Sequence, residues 1–154
     1  MDLGDAHPSL RYVLTLKDDH TNHLCVMPLA RRSNMVAVFS TWHREMKTKL
    51  PTKPLPTLHT DNGGGGYTIN AFTEYLNSYG INYQMPLPHK PHQNGVAERV
   101  NRTLMDRVRA ITTGASMSSR FWPYALEYAA WLHNRMSCPS AHPPYFMMIG
   151  KAGR

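Results

Sequence analysis

Three prolines, Pro51, Pro54 and Pro56, fall within six residues and divide the chain more firmly than any other feature. Proline lacks a backbone N–H and its ring clashes with the preceding helical turn, so no helix passes through such a segment. Any element upstream must finish there, and the next must start afresh. Upstream, Ser33 offers an N-cap, and Met35, Val38, Phe39, Trp42 and Met46 recur at three- and four-residue steps. That spacing predicts an amphipathic helix running to about Leu50. Before it, Arg11–Lys17 and His23–Leu29 read as strands joined by Asp18-Asp19-His20-Thr21-Asn22, an antiparallel hairpin.

Downstream, a short strand over Thr57–Thr60 leads into Asp61-Asn62 and four consecutive glycines. Asn70 is expected to cap a helix that stops at Gly80, and Ile81–Met85 reads as a further strand. A loop over Pro86–Asn94 then precedes a long helix from about Gly95 to Thr113, and a last helix spans about Ser119 to Arg135. The order of elements predicts an α/β fold, a sheet of mixed direction flanked by helices. We expect one domain over residues 1–136 and a peripheral, proline-containing tail over 137–154.

With 42% hydrophobic residues in 154, the chain can bury a globular core. No apolar run is long enough to cross a bilayer and no signal-peptide pattern opens the chain, so neither a membrane span nor secretion is expected. Cys25 and Cys138 lack CxxC spacing, which argues against a thiolate zinc site and predicts two isolated buried thiols. His7, His20, His43 and His142 are expected in surface or turn roles. The net charge of +7 favours an anionic partner, and its distribution is informative. Lys90, Arg99, Arg102, Arg107, Arg109 and Arg120 stand against only Glu98 and Asp106 in that stretch.

Two carboxylates hold positions that chemistry could use. Asp61 follows a strand, and ligand sites in open α/β sheets gather beyond the carboxyl ends of strands. The same residues favour a plain turn. Glu98 shares its helix face with Arg102, Met105 and Arg109, turned away from the apolar stripe of Val96, Ala97, Val100, Leu104, Val108 and Ile111. It also reads as an ordinary first-turn glutamate paired with Arg102. Local geometry leaves both alternatives open.

The combined pattern goes further. HTDNGG at 59–64 and PHQNGVAERVNRTL at 91–104 resemble the integrase core of copia-like (Ty1/copia) retrotransposons, within the retroviral integrase superfamily. YVLTLKDDHTN at 12–22, FWPYALEYAAWLHNR at 121–135 and PPYFMMIGK at 143–151 continue the resemblance in the family's order. The 36 residues between Asp61 and Glu98 are one more than the familiar retroviral spacing.

The resemblance implies a ribonuclease-H-like fold and a triad of two aspartates and a glutamate that holds Mg²⁺ or Mn²⁺. Asp61 matches the second aspartate and Glu98 the glutamate. Asp2 is the choice for the first, with Asp5 as runner-up, on an opening strand expected to be cut short at Met1. The resemblance further implies polynucleotidyl transfer, namely DNA end processing and strand transfer. Lys90, Gln93, Asn94, Arg99 and Arg102 are the expected DNA contacts, for element ends and target DNA alike. A homodimer or higher oligomer is expected, in the nucleus or in cytoplasmic virus-like particles. Trp122, Tyr128 and Trp131 read as core packing, with a partner face as the alternative. A catalytically inactive relic, or a domesticated nucleic-acid-binding domain, is the alternative for the whole chain.

Overall fold

A computed structural model describes residues 9–60, 66–84, 91–136 and 142–150. Asp2, Asp5, Asp61, Lys90 and Cys138 lie outside these, and of Gln93 and Asn94 only the backbone is described. The described residues fall into two compact units. One is built from residues within 1–31 and 101–154, the other from 32–100.

In the first unit, β1 (Tyr12–Lys17) pairs antiparallel with β2 (Leu24–Leu29), with Lys17 opposite Leu24 and Tyr12 opposite Leu29. The hairpin forms where expected because its turn bonds to itself. Asp18 Oδ2 accepts from the Thr21 N–H at 2.7 Å and the Thr21 hydroxyl at 2.6 Å, and Asn22 adopts a φ of 59°. Helix α4 (Trp122–Arg135) covers β2 and buries Trp122, Ala125, Leu126, Ala129 and Ala130.

The tail is more structured than a peripheral segment suggests. Its helix α5 (Pro144–Ile149) packs on α4 and ends at Gly150, whose φ of 70° suits a residue without Cβ. Thr21 also reaches α5, with its Oγ1 at 3.9 Å from Met148 Sδ.

In the second unit, α1 (Met35–Lys49) begins after a 3₁₀ turn over Arg32–Asn34, so Ser33 lies inside that turn and Asn34 takes the cap position. β3 (Thr57–His59) and β4 (Asn82–Gln84) pair in parallel, which requires a crossover connection; α2 (Gly66–Ser78) lies within it. α2 starts four residues before Asn70, because the apolar spacing of Ile69, Phe72 and Leu76 carries the helical period upstream. Its end at Gly80, with φ of 67°, is as expected.

Phe39 of α1 is the centre of this unit, edge-on to Phe72 at 5.0 Å. His43 departs from its expected surface role. It is buried beside Phe39, with Nδ1 at 3.0 Å from the Tyr75 hydroxyl. One turn beyond Phe39, it falls on the helix's inward stripe, and Tyr75 supplies the hydrogen bond that a buried imidazole needs.

Helix α3 (Pro91–Gly114) also starts four residues earlier than the sequence suggests. Proline suits the first helical position, where its missing N–H needs no partner. The expected loop therefore ends before Pro91. No helix among the described residues is long and apolar enough to cross a membrane.

Candidate active site

The parallel β3–β4 pair puts the carboxyl ends of both strands at one edge. Beyond the paired residues the edge is braced twice. The Thr60 N–H donates to the Gln84 carbonyl at 3.4 Å, and the Thr60 hydroxyl donates to the Tyr83 hydroxyl at 3.0 Å. At the other end, the Asn82 N–H donates to the Pro56 carbonyl at 2.9 Å. Asp61 follows Thr60 in the sequence and lies outside the described residues; the strand end that precedes it is at the edge where α/β sheets bind ligands. Reading the sequence for chemistry passed over Thr60 and Tyr83. The side-chain brace they form depends on strand register, which no local pattern reveals.

Glu98 stands on α3 as its eighth residue, in the third turn rather than the first. The macrodipole fades within the first turn, so it no longer accounts for a glutamate here. The face assignment holds. Leu104 and Val108 are buried, while Glu98, Arg99 and Arg102 are exposed, about 120° or more round the helix from the stripe's centre in the cases of Glu98 and Arg99. Val96 lies at the edge of that stripe and is 44% exposed, so it is not part of the buried face. The pairing of Glu98 with Arg102 is not formed among the described residues, where α3's ion pair is Arg109–Asp106 at 2.9 Å. The Glu98 carboxylate thus has no hydrogen bond or ion pair among the described residues, which leaves its oxygens available to a cation.

Among the described residues no three His, Cys, Asp or Glu side chains form a metal-binding group. Both aspartates of the expected triad, Asp2 and Asp61, lie outside them, as does Lys90. Gln93 and Asn94 stand in the first turn of α3. Trp122, Tyr128 and Trp131, taken together as core packing, divide instead: Trp122 is buried, whereas Tyr128 and Trp131 are about half exposed. Cys25 is half-buried, with Sγ at 3.7 Å from His23 Nδ1.

Known proteins include relatives of this chain. The chain is 37% identical over 125 residues to the retrovirus-related Pol polyprotein from transposon TNT 1-94 of Nicotiana tabacum, covering 81% of this chain and 9% of that protein. It is 30% identical over 134 residues to the Pol polyprotein from transposon RE1 of Arabidopsis thaliana, covering 87% and 9%. The chain belongs to the Ty1/copia-type retrotransposon Pol polyproteins. It spans about a tenth of the length of the curated relatives it matches. No protein-family profile matches it.

Solved structures similar to the chain include integrase catalytic cores. The catalytic core of BIV integrase superposes with a TM-score of 0.62 at 19% identity, covering 90% of this chain and 85% of that one. The catalytic core of HTLV-2 integrase in complex with magnesium, a trimeric form, gives 0.58 at 17%, covering 87% and 90%. A chain of the simian T-cell lymphotropic virus intasome gives 0.71 at 17%, covering 94% and 50%. The chain therefore has the ribonuclease-H-like fold of these cores, a mixed α/β architecture.

Proposed function

We propose that this chain is an integrase catalytic core for metal-dependent polynucleotidyl transfer, processing DNA ends and joining them to target DNA, with Asp2, Asp61 and Glu98 as its carboxylates. The observation that carries the reading is the exposed Glu98 on α3, without a partner among the described residues, in a chain that aligns with Pol polyproteins over most of its length. The donor chemistry fits a hard divalent cation. All three groups are carboxylates, which suit Mg²⁺ or Mn²⁺ better than zinc.

When bound, such ions activate the attacking hydroxyl or water and stabilise the leaving oxygen of a phosphodiester. The chain's residues supply the rest. Asp61 follows in sequence the braced end of β3, and Glu98 stands on α3. Arg99 and Arg102 flank Glu98 on the exposed side of α3 and offer cations to the phosphate backbone. Lys90, Gln93 and Asn94 precede them in the chain and extend that contact. No side-chain nucleophile takes part, because water or a DNA hydroxyl attacks.

The half-exposed Tyr128 and Trp131, whose rings stack at 5.9 Å, support assembly as a homodimer or higher oligomer, to be checked by sedimentation. On this reading the protein works in the nucleus or in cytoplasmic virus-like particles, which imaging of a tagged chain would test.

Metal titration tests the catalytic reading. Millimolar Mg²⁺ or Mn²⁺ should raise the melting temperature of the chain, and Asp61→Asn or Glu98→Gln should abolish the rise. An unchanged melting temperature in the parent, combined with DNA binding that persists, would favour a non-catalytic nucleic-acid-binding domain.

A further inference from the structure

The first unit carries a group of cations that the carboxylate site does not use. The hairpin between β1 and β2 is bolted to the C-terminal turn of α4. His133 Nε2 lies 3.0 Å from the Asn22 carbonyl, and Asn134 bonds to Leu24. That attachment sets His133 and Arg135 beside His23 and Lys17, at the turn end of the hairpin. From α3, Arg107 joins them. His133 feels the charges of Arg107 and Lys17, and His23 feels that of the Asp18 carboxylate first and then those of His133 and Arg135.

Helix electrostatics explain part of this group. Cations in the last turn of α4 complement its dipole. They do not explain Arg107, which stands on another helix and has a buried guanidinium nitrogen, Nη1, with no hydrogen-bond partner. A buried donor of that kind normally has an acceptor. The carboxylates nearby are already engaged, Asp18 with Thr21 and Asp19 with Lys17 at 3.6 Å.

Arg135 is held in place rather than free. Its guanidinium lies 4.3 Å from the Trp131 ring centroid and 4.5 Å from that of Tyr145. Two rings hold the group while the residue stays exposed to solvent. A guanidinium fixed in that way is suited to the paired oxygens of a phosphate.

We propose that Arg135, His133, His23, Arg107 and Lys17 form a phosphate-binding subsite that takes the backbone of a nucleic acid. It lies on the hairpin, α3 and α4, and its residues are other than those expected to contact DNA near Glu98. The proposal rests on the nucleic-acid reading of the domain for the source of the phosphate. Binding of the anion raises the affinity of both histidines for a proton.

The test is fluorescence anisotropy of labelled duplex DNA with the 154-residue chain across a salt series. Arg135→Ala should weaken binding roughly tenfold and flatten the salt slope by about 0.9 for each phosphate no longer neutralised. Arg44→Ala, on the exposed side of α1, should change neither. If the parent binds DNA and Arg135→Ala matches it in affinity and slope, the subsite is overturned while the nucleic-acid reading stands. If the parent does not bind DNA, that reading falls, and proton NMR with inorganic phosphate decides the subsite. Upward movement of the His23 and His133 titrations, abolished in Arg135→Ala, supports it; unmoved titrations overturn it. Polyglutamate displacing the DNA more strongly than equal charge of inorganic phosphate also overturns it, in favour of an acidic protein segment.

Discussion

Asn134 takes both backbone hydrogen bonds of Leu24: its Oδ1 accepts the Leu24 N–H at 2.8 Å and its Nδ2 donates to the Leu24 carbonyl at 2.7 Å. Leu24 sits opposite Lys17 in the hairpin, next to the hydrogen-bonded Asp18–His23 position, so these two groups point away from β1. The amide of Asn134 therefore does for β2 what another strand would do, and it closes an edge that would otherwise be open to pairing. Because Leu24 and Asn134 are both buried, Asn134→Ala leaves two groups unsatisfied out of reach of solvent. We expect a loss of about 2–5 kcal/mol, measured by urea unfolding. A loss under about 0.5 kcal/mol, the ordinary range for surface changes, would show that the amide is replaceable.

Acid should destabilise the protein through its histidines. Burial lowers the proton affinity of His43, and Lys47 adds to the effect. Burial also lowers that of His23 and His133. On unfolding, each returns to an ordinary value near 6.5, so the unfolded chain binds more protons just below that pH. Stability from these groups is complete above about pH 6.5 and is lost as pH falls toward their folded values. Melting temperatures between pH 7.5 and 5.5 should therefore decline on acidification, as proton uptake on unfolding requires. A flat profile would contradict the burial of these rings.

A second acid limb belongs to Asp18. Burial opposes its ionisation, but the Thr21 hydroxyl and N–H, with His20 and His23, outweigh that and lower its pKa below 3.8. Its stabilisation is present above 3.8 and lost as pH falls through the lower folded value. Thr21→Val keeps the shape and removes the hydroxyl donor. It should destabilise by about 1–3 kcal/mol at neutral pH and reduce the acid limb, both read from urea unfolding at pH 7 and pH 3.

How much of this was legible in the sequence depends on the range of the interaction. The β1–β2 hairpin was, because Asp18 and Thr21 bond three residues apart and turn chemistry is local. The face of Glu98 was also legible, since helical periodicity alone sets it. The starts of α2 and α3 were not. Asn70 and Gly95 look like boundaries, yet an upstream apolar residue in one case and Pro91 in the other carry the helix further back. His43 and Asn134 could not be read at all, because their partners Tyr75 and Leu24 lie 32 and 110 residues away. Arg107 and Arg135 read as part of a general basic bias, and only the packing of α3 and α4 around the hairpin gives them a common neighbourhood.

Glu98 should matter to chemistry and little to folding. An exposed carboxylate without an ion pair among the described residues contributes little to stability, so Glu98→Gln should unfold within about 0.5 kcal/mol of the parent in metal-free buffer. A larger loss would mean that the carboxylate holds the fold together, and its proposed function would need revision.

The most direct measurement is cleavage and joining of labelled DNA ends by the chain in Mn²⁺ or Mg²⁺, beside Asp61→Asn and Glu98→Gln. The account predicts metal-dependent nicking or joining by the parent and a loss of at least about a hundredfold in each folded variant, as expected when a ligand of the reacting ions is removed. Activity that survives both substitutions, or that runs equally well in EDTA, would contradict it.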